Sequence, residues 1–250
     1  MNYEVLINGI KVNAHYSEKS IDELFIPLLK KFSNIQESMG RRILVMLAAP
    51  PGAGKSTLLS FLKYLSENTE GLKPVTTIGI DGFHHYQDYL LEHTAVRDGK
   101  EVQMVKIKGA PITFDVDLLM ERVKKVAAGE ECGWPEYDRM NHNPVEDAIT
   151  VSGNIVLLEG NYLLLKDDRW DRLSDYADLT IKIEADIEML RGRLTERKML
   201  SGADEETAKA FVEYSDLYNA KLCISNSQKA EITLRLKADD EYELVEGTIQ

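Results

Sequence analysis

The chain has 250 residues, 44% hydrophobic and 29% charged, enough for one sizeable α/β core. Its 30 basic and 42 acidic residues give a net charge of −12, which weighs against a general nucleic-acid binder or a protein of anionic membranes, since both need a basic face. Two distant cysteines, Cys132 and Cys223, argue against a disulfide framework and for a reducing cytoplasm, and neither a signal peptide nor a membrane-spanning run is expected.

Tyr3 to Tyr16, YEVLINGIKVNAHY, alternates apolar and polar residues around Asn8-Gly9, which predicts a hairpin. Ser20 is placed to cap the next segment, with Glu23 completing a capping box. Ile21, Leu24, Phe25, Leu28, Leu29 and Phe32 then follow helical spacing as far as Gly40, with Pro27 a kink point inside the pattern. Residues 1–40 are therefore expected to be a hairpin-plus-helix extension that covers a sheet edge or builds the contact of a homodimer.

From Arg41 to the C-terminus, short apolar runs alternate with amphipathic helices, the pattern of a parallel sheet covered on both faces. Strands are expected at Ile43–Ala48, Val75–Ile80, Asn154–Leu158, Leu179–Ile183 and Ala230–Leu236. Helices are expected at Ser56–Ser66, Val116–Ala128, Ile187–Leu200 and Glu205–Ala220.

The most informative stretch is Ala49-Pro50-Pro51-Gly52-Ala53-Gly54-Lys55-Ser56. It fits the P-loop pattern G-x-x-x-x-G-K-[ST] except at its first position, where alanine stands for glycine, and it lies between a predicted strand and a predicted helix. Gly52 and Gly54 let backbone N–H groups turn inward around a phosphate at a positive helix terminus. The segment Pro51, Gly52, Ala53, Gly54, Lys55, Ser56 and Thr57 is thus the expected nucleotide cradle, with Lys55 reaching the β- and γ-phosphates and Ser56 offering a hydroxyl to Mg²⁺. Ala49 is compatible provided its φ is negative. A P-loop alone leaves a GTPase switch, an ATPase motor and a small-molecule kinase open.

Two strand ends narrow the choice. VTTIGIDGFHHY puts Asp81 just past the carboxyl end of the second core strand, where ligands of α/β sheets bind. A carboxylate there can take the proton of an attacking hydroxyl, although Asp-Gly is also a common turn. NIVLLEGNYLLL ends the third core strand in Glu159, an acid positioned for Mg²⁺.

APPGAGKST, DGF and LLEGNYLLL together resemble the phosphoribulokinase/uridine kinase family of P-loop kinases, over roughly residues 41–235, and KGAPITFDVDLL adds a likeness to its bacterial nucleoside-kinase-like branch. The resemblance implies a three-layer α/β/α sandwich with a five-stranded parallel core, and transfer of the γ-phosphoryl of ATP to a small-molecule hydroxyl with Mg²⁺. It implies Asp81 as general base, Lys55 on the phosphates, and Ser56 and Glu159 at the metal. Pro135-Glu136-Tyr137-Asp138-Arg139-Met140-Asn141-His142 matches the Pro-x-Tyr-Asp-x-x-x-His segment that shapes the nucleoside site of uridine kinases. Tyr137, His142, Phe83, Arg139 and Lys108 are accordingly expected around the acceptor.

This chain departs from uridine kinases in two places. Asn143-Pro144 replaces the arginine after the histidine, and Gly109 falls where an aspartate would meet ribose. Both departures count against uridine itself, so a sugar or a pantothenate-type acid stands close behind a nucleoside. Lys106 and Lys108 are expected to share one face of a strand near this glycine. A lid is expected around residues 191–204, with Arg193 and Arg197 on one helix face closing over the phosphates. The other reading makes them surface arginines paired with Glu188, Glu196 or Asp186. A hydrolysing NTPase and a nucleotide-binding regulatory protein are the remaining rivals.

Overall fold

A computed structural model describes residues 1–7, 10–167 and 169–249. The chain opens with β1 (Asn2–Ile7) and β2 (Ile10–His15), which pair antiparallel as expected; the Asn8-Gly9 turn lies outside the described residues. After a short turn of helix, α1 (Glu18–Ser20), and a wide π turn (Ile21–Phe25), α2 runs over Ile26–Met39. The cap differs from expectation. Ser17, not Ser20, accepts the amide of Ser20, while the Ser20 hydroxyl donates to Glu241 at 2.5 Å. Pro27 falls in the first turn of α2, where it costs no hydrogen bond, and Gly40 closes that helix at φ 64°.

The core follows as β3 (Ile43–Ala48), α3 (Lys55–Asn68) and β4 (Thr76–Gly79). The chain then leaves the sheet for an excursion: α4 (Gln87–Glu92), the hairpin β5 (Thr94–Arg97) and β6 (Lys100–Gln103), α5 (Val116–Ala127), and the hairpin β7 (Cys132–Asp138) and β8 (Asn143–Val151). It returns as β9 (Ile155–Gly160) and β10 (Leu179–Ala185), passes through α6 (Ile187–Leu200), α7 (Glu205–Phe211) and α8 (Leu217–Asn226), and ends with β11 (Ile232–Leu236) and β12 (Tyr242–Glu246).

The six-stranded sheet has the order β12-β11-β10-β3-β9-β4; five strands are parallel, and β12 pairs antiparallel with β11 at one edge. The five-stranded parallel core is therefore as expected, and β12 is an addition. Residues 104–107, expected as a strand carrying Lys106 and Lys108, form a 3₁₀ turn instead, with Lys108 just past its end.

Strand β3 shows why both faces must be covered. Ile43, Val45 and Leu47 enter one core with Leu28, Phe32 and Leu62, while Leu44, Met46 and Ala48 enter the other with Leu119, Val123 and Trp134. The N-terminal extension belongs to the first core. Tyr16 stacks on Phe61 of α3 at 4.2 Å, and Phe25 meets the rings of both Phe61 and Tyr242. Phe61 also contacts Tyr3 and Tyr64, so it joins the extension to α3. Phe61→Ala is expected to lower unfolding free energy by about 3–5 kcal/mol in urea titration. A loss under about 1 kcal/mol would show that the extension does not depend on this ring.

Candidate active site

The loop between β3 and α3 is built as the sequence requires. Gly52 and Gly54 have φ of 84° and 73°, whereas Ala49 is absent from the positive-φ residues. Leu194 of α6 lies 3.0 Å from the position of a Cβ on Gly52, so the loop packs directly on the helix expected to carry the lid. Lys55 is the first residue of α3, at its positive end.

Register then brings the acids to the loop. Glu159 of β9 lies opposite Leu47 of β3 and Gly79 of β4, near the carboxyl ends of all three strands. Its Oε1 accepts the Ser56 hydroxyl at 2.5 Å. Burial pushes the Glu159 carboxyl above its usual range; Lys55 and the Ser56 hydroxyl pull it down, and Asp81 adds to the rise. Asp81 begins the 3₁₀ turn after β4, with its side chain 45% exposed. Ser56, Asp81 and Glu159 line one cleft of about 820 Å³, together with Trp134, Tyr137 and Arg139.

The turn that carries Asp81 is fixed by close approach. A Cβ on Gly82 would sit 2.0 Å from the Pro135 carbonyl oxygen of β7, so only glycine fits there. The same contact directs Phe83 inward, edge-on to Trp134 at 4.9 Å, and leaves it 1% exposed. Phe83 is therefore core, not acceptor wall.

Of the other acceptor residues, Tyr137 and Arg139 reach the cleft, with Arg139 Nη2 3.7 Å from Asp81 Oδ2. Lys108 Nζ lies over the Tyr137 ring at 4.7 Å and donates to Gln87 Oε1 and the His142 carbonyl; burial brings its ammonium down to about 8. His142 contributes only that carbonyl. Its side chain is exposed at the β7–β8 turn, where φ is 53°. The imidazole nearest this wall is His84, behind Tyr137, stacked on Phe114 at 3.8 Å and edge-on to Tyr137 at 5.5 Å. The sequence signal for it was its place three residues after Asp81.

The α6 arginines divide. Arg191 pairs with Glu188 and Glu213, as a surface residue would. Arg193 pairs with Asp240 at 2.9 Å and lies 4.0 Å from the Cβ position of Gly54, beside the phosphate loop. Arg197 faces Asp216 at 3.7 Å, a carboxylate that sequence reasoning missed and that burial pushes above its usual range against the pull of Arg197. Ser201, just past α6, lines the same cleft as Asp81. Leu6 and Ile7 of β1 line it as well, which gives the extension a place at the site.

The donor set fits Mg²⁺. Ser56 and Glu159 offer hard oxygens side by side at the start of α3. Among the described residues no helix is long and apolar enough to cross a membrane.

A parallel sheet with a glycine-lysine-serine loop at its carboxyl edge defines the P-loop class of nucleotide-binding folds. A model of the phosphoribulokinase/uridine kinase family matches residues 44–226, and the chain belongs to that family. It is 39% identical over 243 residues to "Uncharacterized protein YggC" of Escherichia coli K12, covering 97% of this chain and 98% of that one. It is 32% identical over 222 residues to "Putative uridine kinase C227.14" of Schizosaccharomyces pombe, covering 86% and 90%. Among solved structures, one titled as a "putative fructose transport system kinase" from Silicibacter sp. TM1040 superposes with a TM-score of 0.69 at 28% identity, covering 81% of this chain and 98% of that one.

Burial holds the His84 imidazole down to about 4, against the pull of Asp81. The unfolded chain then binds the extra proton more tightly, so this group's contribution is full above pH 6.5 and is lost as pH falls through 4. The stability gap between wild type and His84→Gln is expected to narrow by about 3 kcal/mol across that window. A gap independent of pH in urea titrations would show that the ring is not held neutral.

Proposed function

We propose that the protein is an ATP- and Mg²⁺-dependent kinase that phosphorylates a hydroxyl of a small molecule. The observation that carries this reading is the sharing of one cleft by Ser56 and Glu159, at the phosphate loop, and Asp81, whose half-exposed carboxylate can meet an alcohol in exchange for its contact with Arg139. Bound Mg²⁺ would supply charge neutralisation on the phosphates, with Ser56 and Glu159 as its protein oxygens.

Asp81 accepts the acceptor's proton as that oxygen forms its bond to the γ-phosphorus; the bond from γ-phosphorus to the bridging oxygen breaks, and ADP leaves. Lys55 and the loop amides hold the transferring group in line. Residues 191–204 act as the lid: Arg193 and Arg197 exchange Asp240 and Asp216 for phosphate oxygens, and closure excludes water that would otherwise hydrolyse ATP. Tyr137 and Arg139 support this acceptor site, whereas the placements of Phe83 and His142 remove two residues from the uridine-kinase pattern.

ADP release measured against nucleosides, sugars and hydroxy acids tests the reading, and turnover is expected only with an acceptor present. Acceptor-independent hydrolysis would make the protein an NTPase instead. Asp81→Asn is expected to leave ATP binding nearly intact while slowing transfer by about two to four orders of magnitude. A near-wild-type rate would remove Asp81 as the base. Tyr137→Ala is expected to raise the acceptor KM far more than the ATP KM, and equal effects would place Tyr137 outside the acceptor site.

A further inference from the structure

Of the described residues that line the active cleft, only Leu6 and Ile7 lie outside residues 44–226, the span that the family model matches. They belong to the N-terminal hairpin, and the base of that hairpin is fastened to the phosphate-binding helix. The Tyr3 hydroxyl donates to the Ser60 carbonyl of α3 at 3.1 Å and lies 2.8 Å from Ser60 Oγ, and the Tyr3 ring meets Phe61 edge-on at 5.1 Å. Ser60 itself lines the cleft. One helix therefore carries both the phosphate loop and the hairpin.

The outward side chains of β1 are Asn2, Glu4 and Leu6. The first two are polar, as a solvated strand face requires, but the third, where the strand reaches the cleft, is a leucine 69% exposed. Two more apolar side chains stand open around the same mouth. Met140, at the β7–β8 turn, lines the cleft and is 90% exposed. Leu200, the last residue of α6, is 70% exposed, with Met199 exposed beside it, and the next residue, Ser201, lines the cleft. Helix α6 reaches this place by crossing the phosphate loop: Leu190 and Leu194 pack on Gly52, so the C-terminal end of the helix overhangs the mouth. A single exposed leucine needs no explanation, whereas open apolar tips from three separate segments around one cleft form a surface that contact would bury. The cover belongs to this chain rather than to a ligand tail, because the exposed apolar residues stand on the lid as well as on the walls.

We propose that the N-terminal hairpin is the seat of the lid: when nucleotide binds, the end of α6 crosses the mouth and Leu200 packs on Leu6, with Met140 at the side. Leu6 is then a positioning residue, acting on the reaction through the lid. The inference rests on the kinase reading for the chemistry that closure serves, but the seat itself needs only a bound nucleotide. Arginines draw the lid toward phosphate, and the apolar contact holds it shut against water. Burying one leucine in that contact favours the closed state by about tenfold.

Crosslinking of the full chain tests the contact directly. Cys132 and Cys223 are buried, so Leu6→Cys combined with Leu200→Cys supplies the reactive pair. A short bismaleimide is expected to join the two about tenfold faster with a non-hydrolysable ATP analogue and Mg²⁺ than without them. Equal rates in the two conditions, or no crosslink, overturn the proposal. Kinetics give the second readout, with whichever nucleoside, sugar or hydroxy acid supports turnover. Leu6→Ser is expected to keep the melting temperature of wild type, to slow transfer about tenfold and to raise the share of ATP lost to hydrolysis. Leu6→Met keeps an apolar contact and is expected to restore both values. A wild-type ratio of hydrolysis to transfer in Leu6→Ser overturns the proposal, as does a Leu6→Met enzyme no better than Leu6→Ser. If Leu6→Ser does not fold, Leu200→Ser breaks the same contact from the lid side with the same expected effect, and a wild-type ratio there overturns the proposal too. Nucleotide-driven crosslinking without acceptor-dependent turnover leaves the seat and removes the kinase. Acceptor-dependent turnover that partitions alike in wild type and Leu6→Ser leaves the kinase and removes the seat.

Discussion

The site depends on one contact, the hydrogen bond from the Ser56 hydroxyl to Glu159. Ser56 is the second residue of α3, and Glu159 stands near the end of β9, between β3 and β4. Their contact therefore fixes the start of the phosphate-binding helix against the carboxyl edge of the sheet. Burial disfavours charge on Glu159, and Lys55 restores part of it, so the carboxylate and the lysine are held as an interdependent pair beside the loop.

Around that floor the fold supplies three walls from separate parts of the chain. The β7–β8 hairpin brings Tyr137 and Arg139 over Asp81, because β7 lies hard against Gly82. Helix α6 brings Arg193 beside the loop and Arg197 to Asp216. The N-terminal hairpin brings Leu6 and Ile7, anchored through Tyr16 and Phe25 on Phe61. Each charged wall residue has a carboxylate partner: Arg139 has Asp81, Arg193 has Asp240 and Arg197 has Asp216. The Arg139 and Arg193 pairs are partly exposed and worth little individually, whereas Asp216 is largely buried.

Arg97 is different. It is buried, its guanidinium faces are covered by two tyrosines, and it lacks an acidic partner among the described residues.

The phosphate loop, the five parallel strands and the strand-end positions of Asp81 and Glu159 were legible in the sequence, because each rests on local chemistry: glycine at positive φ, apolar runs of strand length, an acid where the run stops. The two excursion hairpins were not read as strands, although Asp98-Gly99, at φ 52° and 74°, is a hairpin signal of the kind used at the N-terminus. Strand β12 was missed because its apolar pattern is short, although its pairing with β11 is local, across residues 237–241. The direction of Phe83, the exposure of His142, the stacking of His84 on Phe114 and the burial of Arg97 were decided by tertiary structure alone. Each depends on which distant segment packs against the residue, as Pro135 does against Gly82, and no local spacing encodes that contact.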